Sequence, residues 1–362
     1  MTRLASTGAK SRRHHVVPLA HLTNFAEDRA HPQIVAYDKV AQRYIGPTNP
    51  INLAVLRDYN TTDLGGGPTD IIERLLGQFD ACGAPVMARL IAEPGPRFSL
   101  GTGDRVDLAR YVACLNLRVP GFRDAYQEKV NQLVTKAGLA WADVEAKEFR
   151  NEKRRKHARR AAKAIREGRM VPGLGNVGPI GLKGIEGLAR QIAGMSWLLL
   201  DNSGTAGFII GDNPAAILAS NRAVDILDPS IEIALPLSPK RLLLISHSGP
   251  DGVVVRAGPA AGPAAAAKMD TMLTPAYGVS TWRTATRHVF GADLDDLKAV
   301  ADCLTEAERN EVGLSVVVPS GRIGPTGTWI PAGTFPDPAA QIRNHVPRSA
   351  FKVVGRRKPP RR

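Results

Sequence analysis

The sequence predicts a mixed α+β fold, with a long helical middle segment between two groups of short, mostly antiparallel strands. Two patterns carry that expectation. Apolar residues recur at helical spacing over much of residues 70–168, and short β-branched or alternating runs occupy residues 33–45 and 207–255. No internal repeat relates the two strand groups.

Residues 1–11 are a polar lead-in without periodicity, and one domain is expected over residues 12–312. Residues 33–38 read as a strand with Arg43-Tyr44-Ile45 as its hairpin partner, ended by Pro47, Asn49 and Pro50. Residues 52–60 can extend a small sheet, and Gly65-Gly66-Gly67-Pro68 is a loop. Thr69 or Asp70 then offers a short side-chain oxygen to the unpaired N–H groups of a helix. That helix places Ile72, Leu76, Phe79, Val86, Met87 and Leu90 on one face up to Pro94, with a bend near Pro85.

A second helix starts at residues 102–104, carries Leu108, Val112 and Leu115, breaks or kinks at Pro120 and resumes through Tyr126 and Leu133. A third covers 139–168. Its second half changes character, because residues 150–169 hold ten Lys and Arg against two Glu, a face that cannot be buried. Either a solvated helical arm or a nucleic-acid contact fits that composition.

The Gly- and Pro-rich loop at 171–184 is the clearest internal boundary. A helix follows with Ile185, Leu188, Ile192, Met195, Leu198 and Leu199 on one side, and then the period changes to strands at 207–211, 231–235 and 241–246, with 253–255 at an edge. Pro236-Leu237-Ser238-Pro239 reads as a rigid turn. Residues 259–275 suit a helix, 277–281 and 287–290 flank a short connection, and 293–310 form a last helix. Residues 313–362 are expected to be a mostly disordered basic tail.

Composition narrows the chemistry. Hydrophobic content of 43% and charged content of 23% suit a globular protein, and no apolar run approaches the roughly 20 residues of a membrane span, so a cytoplasmic chain is expected. Cys82, Cys114 and Cys303 are scattered, which favours neither a disulfide framework nor a zinc ribbon. The net charge of +14 is concentrated in residues 150–169, the tail from Gly355 and the first thirteen residues, leaving a nearly neutral body. Neither glycine run is followed by Gly-Lys-Ser/Thr, and no Gly-x-Ser-x-Gly elbow occurs, which argues against nucleotide-triphosphate hydrolysis and serine-esterase chemistry.

The string Arg12-Arg13-His14-His15-Val16-Val17-Pro18 is the strongest chemical signal. Imidazole titrates near neutrality and binds divalent metals, so His14 and His15 are candidates for a metal ligand or general base. Neighbouring side chains in an extended segment point to opposite sides, so at most one of the pair faces a given site. The packing alternative puts one histidine under Phe25 and the other in solvent. Asp212-Asn213-Pro214 ends an apolar run and offers either a carboxylate and an amide for catalysis or a hydrogen-bonded turn. Arg118 and Arg123 flank Pro120 and can clamp an anion or pair with an acid such as Asp124 or Glu73.

His14-His15-Val16-Val17-Pro18 with Leu22 and Phe25, the Tyr37-Asp38 strand end, Arg118-Val119-Pro120, Trp197, Asp212-Asn213-Pro214 and Pro236-Leu237-Ser238-Pro239 occur in one order along the chain. In that order they resemble a bacterial domain-of-unknown-function family, number 4238, over roughly residues 12–290. The resemblance implies a related fold and no particular reaction. Gly211 stands where the family pattern more often has Ser, so this chain has no hydroxyl at that position. The His-His-x-x-Pro string also resembles the opening of some HNH-type nuclease motifs. Asn24, Asn49 and Asn52 are available for such a motif, but no downstream helix supplies its further histidine.

The leading functional expectation is therefore a metal-dependent hydrolase of nuclease-like kind. His14, His15 and Asp212 would hold a divalent metal ion, His14, His15, Asp212 and Asn213 would carry the catalysis, and Arg118 and Arg123 would bind the substrate. The alternative is a non-catalytic nucleic-acid-binding or regulatory protein that uses residues 150–169 and the C-terminal tail, and a protein-interaction module with solvated basic arms is a third.

Overall fold

A computed structural model describes residues 13–63, 68–120, 139, 151–167, 184–202, 205–218, 230–257, 273–311, 313, 321–323 and 329–331. The chain opens with β1 (Arg13–His15), α1 (Leu19–Thr23), β2 (Ile34–Asp38), β3 (Arg43–Thr48) and β4 (Val55–Arg57), followed by the short β5 (Thr62–Asp63) and β6 (Pro68–Thr69). The helices α2 (Ile71–Ala92), α3 (Thr102–Arg118), α4 (Glu152–Arg166) and α5 (Ile185–Gly194) come next. Strands β7 (Ser196–Asn202), β8 (Ile210–Gly211), β9 (Ala216–Leu218), β10 (Glu232–Ser238), β11 (Arg241–Ser246) and β12 (Val253–Ala257) follow, and then α6 (Thr274–Thr284), β13 (His288–Gly291), α7 (Leu294–Ala301), α8 (Glu306–Asn310), β14 (Gly321–Ile323) and β15 (Trp329–Pro331). The expected α+β class holds.

The larger sheet has the order β12-β7-β11-β10-β9, antiparallel except for the β12–β7 pair. Its side chains alternate between two apolar layers. Trp197, Leu199, Ile233, Leu235, Leu243 and Ile245 join residues of α2, α3 and α5, while Leu198, Leu200, Ala234, Leu242 and Leu244 meet Phe208 and Tyr277 on the other side. A strand covered on both faces needs no polar alternation, so its sequence reads as an unbroken apolar run. That is why the helix expected through Leu199 stops at Gly194 and the chain continues as β7.

Two arginines weld the helices to this sheet. Arg105 donates from Nε to the Ala193 carbonyl at 2.8 Å and from Nη2 to that of Met195, at the C-terminal end of α5. Its guanidinium also pairs with Asp251 and lies 4.7 Å from the centre of a Trp197 ring. Arg241 donates to the carbonyls of Leu90 at 3.1 Å and Glu93 at 2.7 Å, satisfying the end of α2 against β11.

The smaller sheet, β3-β2-β13-β8, draws on both of the strand groups that flank the helical middle, joining the first strands of the chain to β8 and β13. Ile34, Ala36, Ile210 and Phe290 face Val17, Leu22 and Phe25 on one side. Val35, Tyr37 and Val289 face Trp282, Leu297 and Val300 on the other. β4 does not extend this sheet; it pairs with β1 as a two-stranded ribbon.

Other expectations change locally. Asp70 sits at the start of α2 without a side-chain cap bond, its carboxylate pairing with Arg74 at 3.2 Å instead. Pro236-Leu237-Ser238 belongs to β10, irregular between Pro236 and Ser238, so only its end turns into β11. Residues 277–281 lie within α6, and the helix expected over 293–310 divides into α7 and α8 because Thr305 and Glu308 form a reciprocal capping box that starts a new helix. On α4, Ala158 and Ala162 are buried, so the arm is anchored by its smallest side chains rather than solvated all round. In the expected disordered tail, β14 and β15 pair antiparallel. Residues 1–11, most of 121–150 and 171–183 lie outside the described residues, as do residues 258–272 and most of the tail, so those expectations fall there too.

Gly211 has a packing reason. A Cβ built there would lie 2.9 Å from the Ala285 Cβ and 3.3 Å from the Thr281 carbonyl oxygen, both on the C-terminal part of α6 or just beyond it. Gly211→Ser is expected to lower stability by about 1–3 kcal/mol through overpacking, read as a drop in the urea midpoint with unchanged slope.

Candidate functional site

The histidine pair sits in the β1–β4 ribbon, where His14 lies opposite Leu56 and His15 opposite Val55. Strand alternation sends them different ways: His14 is fully buried and His15 half-buried. His14 Nδ1 accepts the backbone N–H of Asn60 at 2.7 Å. An imidazole that accepts at Nδ1 carries its proton on Nε2 when neutral and so has no lone pair left for a metal ion. The Asn60 side chain, also buried, donates to Glu73 Oε2 at 2.6 Å. One asparagine thus ties the buried histidine to a carboxylate on the first turn of α2.

His15 has the same tautomer, but with its Nδ1 left open. Its Nε2 lies 3.3 Å from the Ile51 carbonyl oxygen, which can only accept, so Nε2 bears the proton and Nδ1 the lone pair. Burial pushes its pKa below the ordinary histidine value, while the Ile51 hydrogen bond and the Glu73 charge pull it back up. Arg13 donates to the same Ile51 carbonyl at 2.9 Å and to Asn52 Oδ1 at 3.2 Å, which fixes the loop carrying it.

Arg118, at the end of α3, is buried and forks onto Asp80 of α2 through contacts of 3.0, 3.2 and 3.3 Å. The expected pairing with an acid is made by Asp80 rather than Glu73; Asp124 and the second clamp residue, Arg123, lie outside the described residues. A guanidinium already held by a carboxylate joins two helices and does not wait for a substrate anion. Tyr59 donates to the Arg118 carbonyl at 3.4 Å, linking the ribbon loop to α3.

His21 turns out to be interior. Its Nε2–H donates to the Pro236 carbonyl at 2.7 Å and its Nδ1 accepts from the Tyr111 hydroxyl at 3.0 Å, so the α1 helix, α3 and β10 meet at one imidazole. Burial lowers its pKa to about 4, and it is neutral near pH 7.

Asp212 and Asn213 belong to a second polar cluster, at the end of the smaller sheet. The Asp212 carboxylate accepts three successive backbone N–H groups, from Thr286 at 2.6 Å, Arg287 at 2.8 Å and His288 at 3.0 Å. Nearby, burial works to raise the Asp38 carboxyl, but hydrogen bonds from Arg287 and the Ala41 N–H overcome it and hold the group at about 2. Lys39 is buried with its ammonium on the carbonyls of Trp282, Ala285 and Glu311, and burial lowers its pKa to about 8. Asn213 is buried with an Oδ1 that has no hydrogen-bond partner among the described residues.

The metal set expected from His14, His15 and Asp212 is therefore not assembled. The His14 lone pair is already engaged, both Asp212 oxygens accept backbone donors, and among the described residues no group of three His, Cys, Asp or Glu side chains is placed to hold a metal ion. What the structure does bring together is His14, His15, Asn60 and Glu73, beside the Arg118–Asp80 pair. Asn60, Asp80, Tyr111 and the bridging role of His21 stand in no motif of the sequence; helical spacing from Glu73 to Asp80 was the available signal, since seven residues return to the same side of a helix.

Among the described residues no helix is long and apolar enough to cross a membrane. No curated protein and no solved structure matches the chain. The family described as Protein of unknown function (DUF4238) matches over residues 13–257, a span that holds the His14–Asn60–Glu73 link, the Arg118–Asp80 pair and Asp212, and the chain belongs to that family.

Proposed function

We propose that the protein is a cytoplasmic hydrolase acting on phosphodiesters by acid–base chemistry, with His15 as the general base. The observation that carries this reading is the tautomer of His15: Nε2–H is engaged by a backbone carbonyl, the Nδ1 lone pair stays basic, and the ring is half-buried with Glu73 close enough to favour its protonated form. In the proposed step Nδ1 takes a proton from water as its oxygen bonds to phosphorus, the opposite P–O bond breaks, and the departing alkoxide recovers the proton from His15. His14, Asn60 and Glu73 position the ribbon and its carboxylate. No step is routed through a metal, because the two residues expected to share it with His15 have their ligating atoms engaged.

Full-length protein assayed on bis(p-nitrophenyl) phosphate and on labelled DNA and RNA is expected to turn over. His15→Ala is expected to reduce kcat by about 10²–10⁴-fold with an unchanged melting temperature. The wild-type kcat/KM is expected to rise with pH and level off below the ordinary histidine pKa. Full activity in the variant, or no turnover by the wild type on any of these substrates, overturns the reading. The alternative, a non-catalytic nucleic-acid-binding or regulatory protein, draws its support from the cations of α4, and binding without turnover is the outcome that selects it.

A further inference from the structure

The α4 helix carries eight Lys and Arg in fifteen residues, and its two sides differ. At 100° per residue, Lys153, Lys156, His157, Arg160 and Lys163 fall on one face, and all five are exposed. The opposite face carries the buried Ala158 and Ala162 and the partly buried Ile165. Asn151 caps the helix, its side-chain oxygen accepting from the N–H groups of Lys153 at 3.0 Å and Arg154 at 3.3 Å. Two acids border this face at its ends, Glu152, which pairs with Arg155, and Glu167, 3.8 Å from Lys163, and the five exposed residues between them hold the balance positive.

A rigid row of positive charge on a seated helix calls for a polyanion, and the composition of the row selects which. A helix that lies in a membrane surface needs Trp, Phe or Leu on the side facing the lipid. Here the apolar side is small and already buried. A site for single strands needs aromatic rings on which bases stack, and the exposed face has none beyond the His157 imidazole. From Lys153 to Lys163 the row runs about 15 Å, the axial length of roughly four phosphates on one strand of a duplex. We infer that the exposed face of α4 docks along the phosphate backbone of a nucleic-acid duplex, positioning it without reading its bases. The contact is independent of turnover at His15.

Fluorescence anisotropy of the full chain with a 20-base-pair duplex, the matching single strand and phosphatidylserine vesicles tests this. Lys156→Glu, Arg160→Glu and Lys163→Glu together should weaken duplex binding at least tenfold. The slope of log affinity against log salt should fall by about 2.7, near 0.9 for each of the three phosphates that the variant no longer neutralises. The corresponding triple alanine variant, which keeps helix propensity, should show the same reduction of slope with an unchanged circular dichroism spectrum. Duplex affinity unaltered in both variants, an absence of duplex binding, or a tenfold preference for the single strand or the vesicles overturns the inference.

Discussion

Arg118→Ala is expected to lower the stability of the protein by about 3–5 kcal/mol, enough to unfold a large fraction of a chain whose whole margin is about 5–15 kcal/mol. Asp80 accepts three guanidinium contacts from Arg118 and is mostly covered, with 26% of its side chain exposed. Removing the arginine leaves that carboxylate in the interior without its counter-charge and opens a space between α2 and α3. Urea denaturation checks the value. The double variant Arg118→Met with Asp80→Leu should recover much of the loss, because burying neither charge avoids the desolvation cost that the pair offsets. An Arg118→Ala variant that folds as well as the wild type but binds phosphate esters more weakly would return this residue to the anion-clamp role its place beside Pro120 suggested.

His21 is the second position where a large effect is expected. His21→Ala deletes two buried hydrogen bonds, strands the Tyr111 hydroxyl and the Pro236 carbonyl, and leaves a cavity beside Phe25, for a loss of about 3–5 kcal/mol. The same site predicts acid sensitivity. In the folded chain His21 stays neutral down to about pH 4, whereas in the unfolded chain its pKa returns to 6.5. Between those values the unfolded state binds more protons, so the contribution of His21 is full above pH 6.5, declines as pH falls and is lost by pH 4, about 3 kcal/mol in all. Urea midpoints at pH 7.5 and pH 4.5 for the wild type and His21→Gln measure it. The difference between the two pH values should be smaller in the variant, and equal differences would assign the acid sensitivity to other groups.

The legible parts of the fold were those with a strong local period. The α2 and α3 helices, the β10–β11 hairpin and the β2–β3 pairing all announce themselves through spacing and turn residues. β7 did not, because Leu198-Leu199-Leu200 is covered on both faces and an unbroken apolar run suits a helix as well as a strand. At the candidate site the histidine pair was visible as a pair, yet what each ring does depends on Asn60 and Ile51, whose contributions are a backbone N–H and a backbone carbonyl. Main-chain groups have no signature in a sequence. The same holds for Asp212, which looked like a reacting carboxylate and is bound by three amide groups contributed by residues 286–288.

The pairing of β2 with β13 has a consequence for how the protein emerges from the ribosome. The register sets His288 against Asp38 and Gly291 against Val35, so the inner edge of β2 has no partner until nearly the whole domain has been translated. At about 5–20 residues per second that interval is on the order of 10–50 s. During it the nascent chain exposes an apolar strand edge, the feature that recruits wrong partners. The β2–β3 hairpin is thus the segment for which a holding chaperone has the longest opportunity, and slowing translation downstream of it should cost soluble yield more than slowing translation after residue 291.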